Sequence, residues 1–508
     1  MDKRGIRMKI LAAALLASLM LAPAYAANEK PAPVTEKPVQ TPPPTVSITK
    51  HSGTFGGQRV AYTATARETY LKAEDGTPKA SLYSTAYVKD GGDATRPVTF
   101  LFNGGPGSGS LWLHMGAFGP KRVAIPSDAR DDGAPPYPIR ENPDSLLDVT
   151  DIVFIDPVGT GYSRALGKTE AKSYWGVTAD AKSVAEFIRI WLTENGRWNS
   201  PKYLGGESYG TTRSAAVANE LEGSFNDVAL NGIILVSTIL DFGAQAEVPG
   251  NEMSFVVNLP TMATTAWYHN KVADKPADVA TFAAEARAFA SGDYLLALLK
   301  GNRLSSEERA SIRTRLARFT GLSEAYLDRA DLRVTPGRFY KELLRDRGVT
   351  VGRLDSRYTG KDYDNAGEEP DNDPSFYGID GGYTAAMNAY ARGELGFKTD
   401  KTYVTIGGVS DWDWKLGGRG NGDNQFYFNV APYIGRTLRE NSGARVFVAA
   451  GWYDFATPFF GAEYSLSRMG IPADRVEFHY YDAGHMMYVR DIDRSKLSND
   501  IRGFIRSR

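Results

Sequence analysis

The chain has 508 residues, enough to bury a large core and to form one large domain with an insertion, or two to three ordinary domains. Its formal net charge is −1, which gives no electrostatic basis for binding nucleic acid. It contains no cysteine, which excludes disulfides, thiol catalysis and cysteine-bound metals. The five histidines lack the spacing of metal-binding motifs, so we expect no metal and no cofactor.

The first 26 residues have the pattern of a secretory signal peptide. A basic segment at residues 3–9 precedes an apolar run at residues 10–21, and Ala24-Tyr25-Ala26 offers a small-x-small cleavage site. The alternative is a membrane anchor, but the apolar run is shorter than the roughly 20 residues that a span needs. We therefore expect an exported protein, periplasmic or secreted, with no membrane span after removal of the signal peptide.

The composition of residues 27–88 predicts a linker followed by the first strands. Residues 27–46 are rich in proline and polar residues, as in an extended linker. From residue 46 to about residue 88, β-prone pieces such as residues 59–62 and 80–88 alternate with glycine-rich turns. This pattern predicts an antiparallel meander that opens a sheet.

Apolar runs then alternate with helical periodicity. Buried strands are predicted at residues 97–102, 151–156, 232–240, 445–450 and 475–481. Helices are predicted at about residues 179–195 and 495–506. This alternation is typical of an α/β fold, with a mostly parallel central sheet and helices on both faces.

Residues 245–400 interrupt this alternation and read as mainly helical. Ser305 and Glu308 have the spacing of a capping box before a helix near residues 309–319. We interpret the segment as an inserted cap or lid, which assigns residues 47–244 and 401–508 to the catalytic domain. Its acidic stretch, residues 362–373, lacks EF-hand spacing and favours a solvated loop over a calcium site.

Residues 203–210 contain a G-x-S-x-G pattern centred on Ser208, and a helix is predicted from Thr211 to about residue 221. This is the layout of a nucleophile elbow, in which a serine sits on a strained turn between a strand and a helix. Gly206 and Gly210 supply the small flanking residues that the turn requires. A chain with 52 glycines can contain this pattern by chance. The assignment of an elbow therefore depends on whether the other parts of such a site are present.

A serine nucleophile needs a histidine base and an acid, which in elbow folds follow in the order Ser, acid, His. That order leaves His269, His479 and His485. His479 lies inside a predicted strand, whereas His485 follows that strand at the edge where the elbow emerges, so His485 is favoured. Asp454 follows the preceding strand in the same way, and Asp482 is the runner-up for the acid.

Stabilising a tetrahedral oxyanion needs two backbone N–H donors. Tyr209 directly follows the serine and is expected to supply one. The glycine-rich loop at residues 103–107 is expected to supply the other, because glycines allow the backbone to approach a substrate closely.

Four motifs follow one another along the chain: NGGPG at residues 103–107, DPVGTGYS at 156–163, GESYG at 206–210 and GHM at 484–486. Together they resemble the serine carboxypeptidase family, over about residues 97–490. The resemblance implies an α/β-hydrolase fold with a cap, and an enzyme that removes C-terminal residues from peptides, often best at acidic pH.

Carried over by motif position, the resemblance implies the roles of the catalytic residues. Ser208 would be the nucleophile, Asp454 the acid and His485 the base. Gly105 and Tyr209 would be the oxyanion donors.

The resemblance also implies that Asn103, Gly104 and Glu207 bind the free carboxylate of the substrate. A glutamate facing a carboxylate helps only when it is protonated, so low pH should favour binding. The alternative for Glu207 is a local hydrogen bond within the elbow. Family members carry a second glutamate that shares a proton with the first, but here Ala117 stands in its place, and Ser108 stands where a cysteine is common.

We therefore expect an exported serine carboxypeptidase that releases C-terminal amino acids from peptides by acyl-enzyme hydrolysis. One alternative is an esterase or acyltransferase on the same scaffold, since a fold does not determine the leaving group or the acceptor. The other is a binding protein with a vestigial site. Candidates for the pocket of the C-terminal side chain are Trp112, His114, Trp267 and Tyr268, unless they are core aromatics.

Overall fold

The computed structural model describes residues 41–222, 226–407, 409–416 and 427–507. The predicted signal peptide and residues 27–40 of the predicted linker lie outside the described residues. Residues 41–45 have no regular secondary structure and lead into the first strand. Within the described part of the chain, every helix is too short or too polar to cross a bilayer.

One large sheet carries the site. Its strands, labelled in chain order, are β1 (Val46–Phe55), β2 (Gln58–Lys72), β3 (Pro78–Lys89), β4 (Val98–Phe102), β5 (Asp151–Ile155), β6 (Lys202–Ser208), β7 (Gly232–Thr238), β8 (Arg445–Gly451) and β9 (Val476–Tyr481). Their order across the sheet is β1-β2-β3-β5-β4-β6-β7-β8-β9, and the short strand Arg164–Ala165 pairs with β3.

The sheet is antiparallel from β1 to β5 and parallel from β5 to β9. The predicted meander at its start is therefore confirmed, as is the mostly parallel sheet. The short strand pairs Lys121–Val123 with Ile139–Glu141, and Thr350–Val351 with Thr359–Gly360, lie outside this sheet.

The helices flank the sheet or follow β7. They are α1 (Val177–Glu194), α2 (Tyr209–Leu221), α3 (Met253–Tyr268), α4 (Val279–Phe289), α5 (Leu295–Lys300), α6 (Ser306–Thr320), α7 (Glu324–Arg329), α8 (Pro336–Glu342), α9 (Pro374–Tyr377), α10 (Asp380–Arg392), α11 (Ala431–Glu440), α12 (Phe459–Leu466) and α13 (Asp491–Arg506).

The central strands are apolar throughout because both faces of the sheet are covered. Along β5, Ile152 and Phe154 belong to one core, whereas Val153 and Ile155 belong to the other. The first core includes side chains of α10 and α13, and the second includes side chains of α1, α2 and α11. Strand order, parallel pairing and helices on both faces make this an α/β-hydrolase fold.

Element ends depart from the predictions where polar residues are buried. Helix α13 begins at Asp491, before the predicted start at residue 495. Its first turn is polar but paired: Arg490 contacts Asp493 at 2.8 Å, and Arg494 contacts Asp144 at 3.0 Å. Apolar periodicity does not detect such a turn, because ion pairs rather than apolar side chains bury it.

The segment predicted as a cap, residues 245–400, contains two kinds of helix. Helices α3 to α8 share a third apolar core with one another. Helix α10 instead packs against the sheet, where Tyr383 and Tyr390 join the core that includes Phe154. In the acidic stretch, Asp362 is buried in an ion pair with Lys341 rather than solvated. Within the described residues, no cluster of His, Asp or Glu side chains could hold a metal ion.

The predicted capping box is confirmed at the start of α6. The Ser305 side chain accepts a hydrogen bond from the Glu308 N–H, and the Glu308 side chain accepts one from the Ser305 N–H. A left-handed residue, Gly321, ends the helix.

We expect Ser305→Ala to destabilise the protein by about 0.5–2 kcal/mol, because an N–H of the first turn loses its acceptor. Urea unfolding followed by circular dichroism measures the change. The matched control is Ser306→Ala, since Ser306 is the first residue of the helix itself and is also exposed. Equal losses in the two variants would contradict a role for the cap.

Candidate active site

The predicted elbow is present as a direct passage from β6 into α2. Ser208 has φ 61° and ψ −129°, a conformation that non-glycine residues rarely adopt. A Cβ on Gly206 would collide with the carbonyl oxygen of Gly210. A Cβ on Gly210 would lie 2.8 Å from the carbonyl oxygen of Phe102. The glycines are therefore required by the tightness of the turn.

Asp454 and His485 meet because their loops follow neighbouring parallel strands, β8 and β9. The His485 Nδ1 lies 2.8 Å from the Asp454 Oδ2, and both side chains are buried. Thr457 also donates to the carboxylate, from its N–H at 2.9 Å and its hydroxyl at 2.6 Å. Asp454 is thus held in one orientation against the imidazole.

The main chain of His485 is held on both sides. Its N–H donates to the carbonyl oxygen of Leu354 at 2.6 Å, and its carbonyl accepts from the Ser237 hydroxyl at 2.5 Å. Burial by itself lowers the pKa of His485, but the charge and hydrogen bond of Asp454, with the charge of Glu207, raise it above its usual value. Asp454 therefore stabilises the imidazolium that forms when His485 takes a proton.

The rival residues occupy other environments. His479 lies within β9 and stacks on Phe447, with the ring centroids 4.5 Å apart. The His269 Nε2 lies 2.7 Å from the carbonyl oxygen of Ser356. Asp482 is exposed at the surface. The structure thus pairs His485 with Asp454 and not with the runner-up acid.

A cavity of about 360 Å³ brings together the residues predicted from separate motifs. Ser208 and His485 line this cavity. Four other predicted site residues line it as well: Asn103, Gly104, Gly105 and Glu207. Asp454 lies behind His485, and the ring of Tyr209 is buried beside Trp412.

The glycine-rich loop touches the elbow. A Cβ on Gly104 would lie 2.5 Å from the Tyr209 nitrogen, a distance that no side chain tolerates. Tyr209 is the first residue of α2, so no carbonyl within the helix accepts its N–H. Gly105, with φ 102°, continues the loop into the cavity. Both predicted oxyanion donors are therefore close to this contact.

Arg213 ties the loop to the elbow helix. Its side chain is 1% exposed, and its Nη1 donates to the carbonyl oxygen of Asn103. Its Nε donates to the Asp180 Oδ2 at 2.6 Å, on α1. A buried guanidinium thus holds two helices and the loop together.

A buried acid closes one end of the cavity. Glu207 is 3% exposed and accepts a hydrogen bond from the Tyr488 hydroxyl at 2.7 Å. Burial raises the pKa of Glu207 to about 7, and the charge of Asp454 adds to the shift, against opposing contributions from His485, Tyr488 and Asn103. Glu207 is therefore protonated in acidic solution.

Tyr488 was not predicted from the sequence. Ala117, at the position of the second family glutamate, is fully buried in the apolar core, so no carboxylate stands there. The neighbour of Glu207 is instead the Tyr488 hydroxyl, on the loop that begins at His485. In the sequence, the only feature that could have pointed to Tyr488 is its position three residues after His485.

The rest of the cavity is mainly apolar. Trp112, Phe376, Ile406 and Met486 line it, so one of the predicted pocket residues is there. The other three lie elsewhere. His114 stacks on Phe154 in the core, with ring centroids 4.2 Å apart. The Lys275 ammonium lies 4.1 Å from the centre of the Trp267 ring, and Tyr268 contacts His269 edge-on.

Parts of this chain are similar in sequence to known proteins. Residues 61–284 match the family model described as serine carboxypeptidase. Serine carboxypeptidase-like 13 of Arabidopsis thaliana is 28% identical over 147 residues, which cover 28% of this chain and 33% of that protein. Serine carboxypeptidase-like 16 of the same plant is 28% identical over 155 residues, with coverages of 29% and 34%. The chain thus spans about a third of the length of these curated relatives.

Among solved structures, proline iminopeptidase of Mycobacterium smegmatis has a TM-score of 0.34 at 12% identity, covering 87% of this chain and 98% of its own. This likeness is too distant to bear on function. The family match agrees with the motifs at residues 103–107, 156–163 and 206–210, which lie inside the matched region. Residues 61–284 therefore match the serine carboxypeptidase family, and the resemblance drawn from the motifs is confirmed.

Proposed function

We propose that this protein is an exported serine carboxypeptidase, which releases the last amino acid from peptides through an acyl-enzyme formed on Ser208. One observation carries the proposal. The elbow serine and His485, which is paired with Asp454, line one cavity with a buried, hydrogen-bonded glutamate that is protonated in acid. Export rests on the signal-peptide pattern of residues 1–26.

The reaction begins with proton transfer from the Ser208 hydroxyl to the His485 Nε2, as the serine oxygen attacks the scissile carbonyl carbon. The resulting oxyanion accepts hydrogen bonds from the N–H groups of Gly105 and Tyr209. His485 then gives its proton to the leaving amine, and the free amino acid departs. Water repeats the sequence on the acyl-enzyme, and Ser208 regains its proton.

The corner formed by Glu207 and Asn103 selects a free C-terminus. A protonated Glu207 donates to the substrate carboxylate, whereas an ionised Glu207 would repel it. The Tyr488 hydroxyl donates to the Oε2 of Glu207 and so orients the carboxyl group. The side chain of the departing residue then lies against Trp112 and Phe376, which favours an apolar residue there.

We expect Ser208→Ala to lower kcat on an N-blocked dipeptide by about 10⁴-fold or more, because no nucleophile remains. A serine-reactive phosphonate should label the native protein once and leave the variant unlabelled, as mass spectrometry would show. Ser173→Ala is the control, since Ser173 is exposed and its hydroxyl bonds only to the carbonyl of Glu170. Full activity in Ser208→Ala would defeat the scheme.

Peptide hydrolysis should depend on the protonation of Glu207. Because the pKa of Glu207 is raised to about 7, its donor form persists below that pH and is lost above it. We expect kcat/KM on a blocked dipeptide acid to fall about tenfold per pH unit above about 7, through KM. The same dipeptide amide should be a poor substrate and show no such fall.

The variant Glu207→Gln keeps a neutral donor at every pH and should lose this alkaline decline. Equal turnover of acid and amide at all pH values would instead indicate a general esterase or amidase.

Tyr488 acts as a positioning residue for Glu207. Its hydrogen bond lowers the pKa of Glu207, so Tyr488→Phe should move the alkaline decline to higher pH. The lost orientation should raise KM for the acid substrate several-fold, with little change in kcat. Tyr390→Phe, which removes a buried hydroxyl hydrogen-bonded to Tyr87, controls for general loosening. A pH profile unchanged in Tyr488→Phe would exclude the role.

A further inference from the structure

Ser237 has a strained main-chain conformation close to the nucleophile. Its φ is 54°, a value that costs free energy in a residue other than glycine. Among the described non-glycine residues, Ser208 and Ser237 are the two that combine a positive φ with a place in a strand. Such strain persists only where the surrounding structure enforces it, and it is concentrated at functional sites. The proposed mechanism gives a reason for the strain at Ser208 but not yet for that at Ser237.

Ser237 is the extra residue of a β-bulge in β7. Val236 pairs with Glu207 of β6. The next pair joins Thr238 to Ser208, so Ser237 has no partner in β6. A bulge bends its strand and redirects the side chain that it carries, and bulges are common next to active sites. The position of Ser237 is therefore fixed directly beside the elbow.

The side chain of Ser237 reaches the catalytic histidine. Ser237 is completely buried, and its hydroxyl donates a hydrogen bond to the main-chain carbonyl of His485 at 2.5 Å. This contact joins β7 to the loop after β9, although β8 lies between these two strands in the sheet. The loop passes close over the end of β8, where a Cβ on Gly451 would lie 2.2 Å from the Gly484 carbonyl oxygen. The hydroxyl thus ties the histidine loop to the strand that neighbours the elbow.

We infer that Ser237 is a positioning residue, whose bulge and hydroxyl hold the main chain of His485 where its imidazole can serve Ser208. The hydrogen bond to Asp454 orients the ring through its Nδ1 but leaves the main chain unanchored. The His485 N–H is anchored to Leu354, which lies outside the large sheet, so Ser237 supplies the anchor on the sheet itself. This inference rests on the proposed function, because it assigns a role in the same reaction.

The test compares Ser237→Ala and Ser237→Gly with the native protein. Both changes remove the hydroxyl, and glycine also removes the strain, so the glycine variant keeps the test open if the alanine variant does not fold. Active sites are titrated to completion with a serine-reactive phosphonate, and kcat on an N-blocked dipeptide is expressed per titrated site.

We expect kcat per site to fall about tenfold or more in both variants, because a small misplacement of a catalytic group is costly. KM should stay near its native value, since Ser237 does not line the cavity.

Ser145→Ala is the matched control. Ser145 is also completely buried, and its hydroxyl donates to the main-chain carbonyl of Phe118 at 2.7 Å. Neither residue lines the cavity. Loss of this bond should lower the melting temperature and leave kcat per site at its native value. A purely structural Ser237 would behave in the same way, so a native kcat per site in Ser237→Ala and Ser237→Gly would overturn the inference.

The rate of phosphonate labelling separates this inference from the proposed function. Labelling depends on Ser208 and His485 but not on a peptide, so its rate should fall in both Ser237 variants even if the substrate is an ester. A labelling rate that stays native in both variants would refute the role of Ser237. Native protein that is labelled but hydrolyses no blocked dipeptide would instead refute the proposed carboxypeptidase function.

Discussion

The contact between the glycine-rich loop and the start of α2 is the constraint on which the site depends. Gly104 lies so close to the Tyr209 nitrogen that no Cβ fits between them. Arg213 maintains this contact by donating hydrogen bonds to the Asn103 carbonyl and to the Asp180 carboxylate. Its guanidinium also lies over the rings of Phe102 and Tyr209, 5.4 Å and 5.2 Å from their centroids.

A buried cation is tolerable only when it is paired and hydrogen-bonded. Arg213 meets this condition only if α1, α2 and the loop are all in place, because each supplies a part of its surroundings. Burial raises the pKa of Asp180, and the Arg213 charge opposes that shift. Loss of any one of the three elements would therefore leave a buried group of this ion pair without a partner.

The sequence was informative where chemistry follows the ends of strands. In a parallel sheet the carboxyl ends of neighbouring strands meet at one edge, so Ser208, Asp454 and His485 could be predicted to lie together. Tyr488 could not be predicted in this way. Tyr488 matters because it contacts Glu207, which is a property of packing between distant segments. The early start of α13 escaped prediction because ion pairs bury its first turn.

The proposed chemistry links the two buried titrating groups of the cavity. The negative charge of Glu207 is one reason why the pKa of His485 is raised, and the positive charge of His485 opposes the rise in the pKa of Glu207. When Glu207 takes up a proton, His485 loses that contribution and releases its own proton more easily. Protonation of Glu207 thus prepares it to donate to a substrate carboxylate and removes one of the charges that raise the pKa of His485. This coupling does not require the second family glutamate. Glu207 already interacts with the charge of His485 and accepts a hydrogen bond from Tyr488.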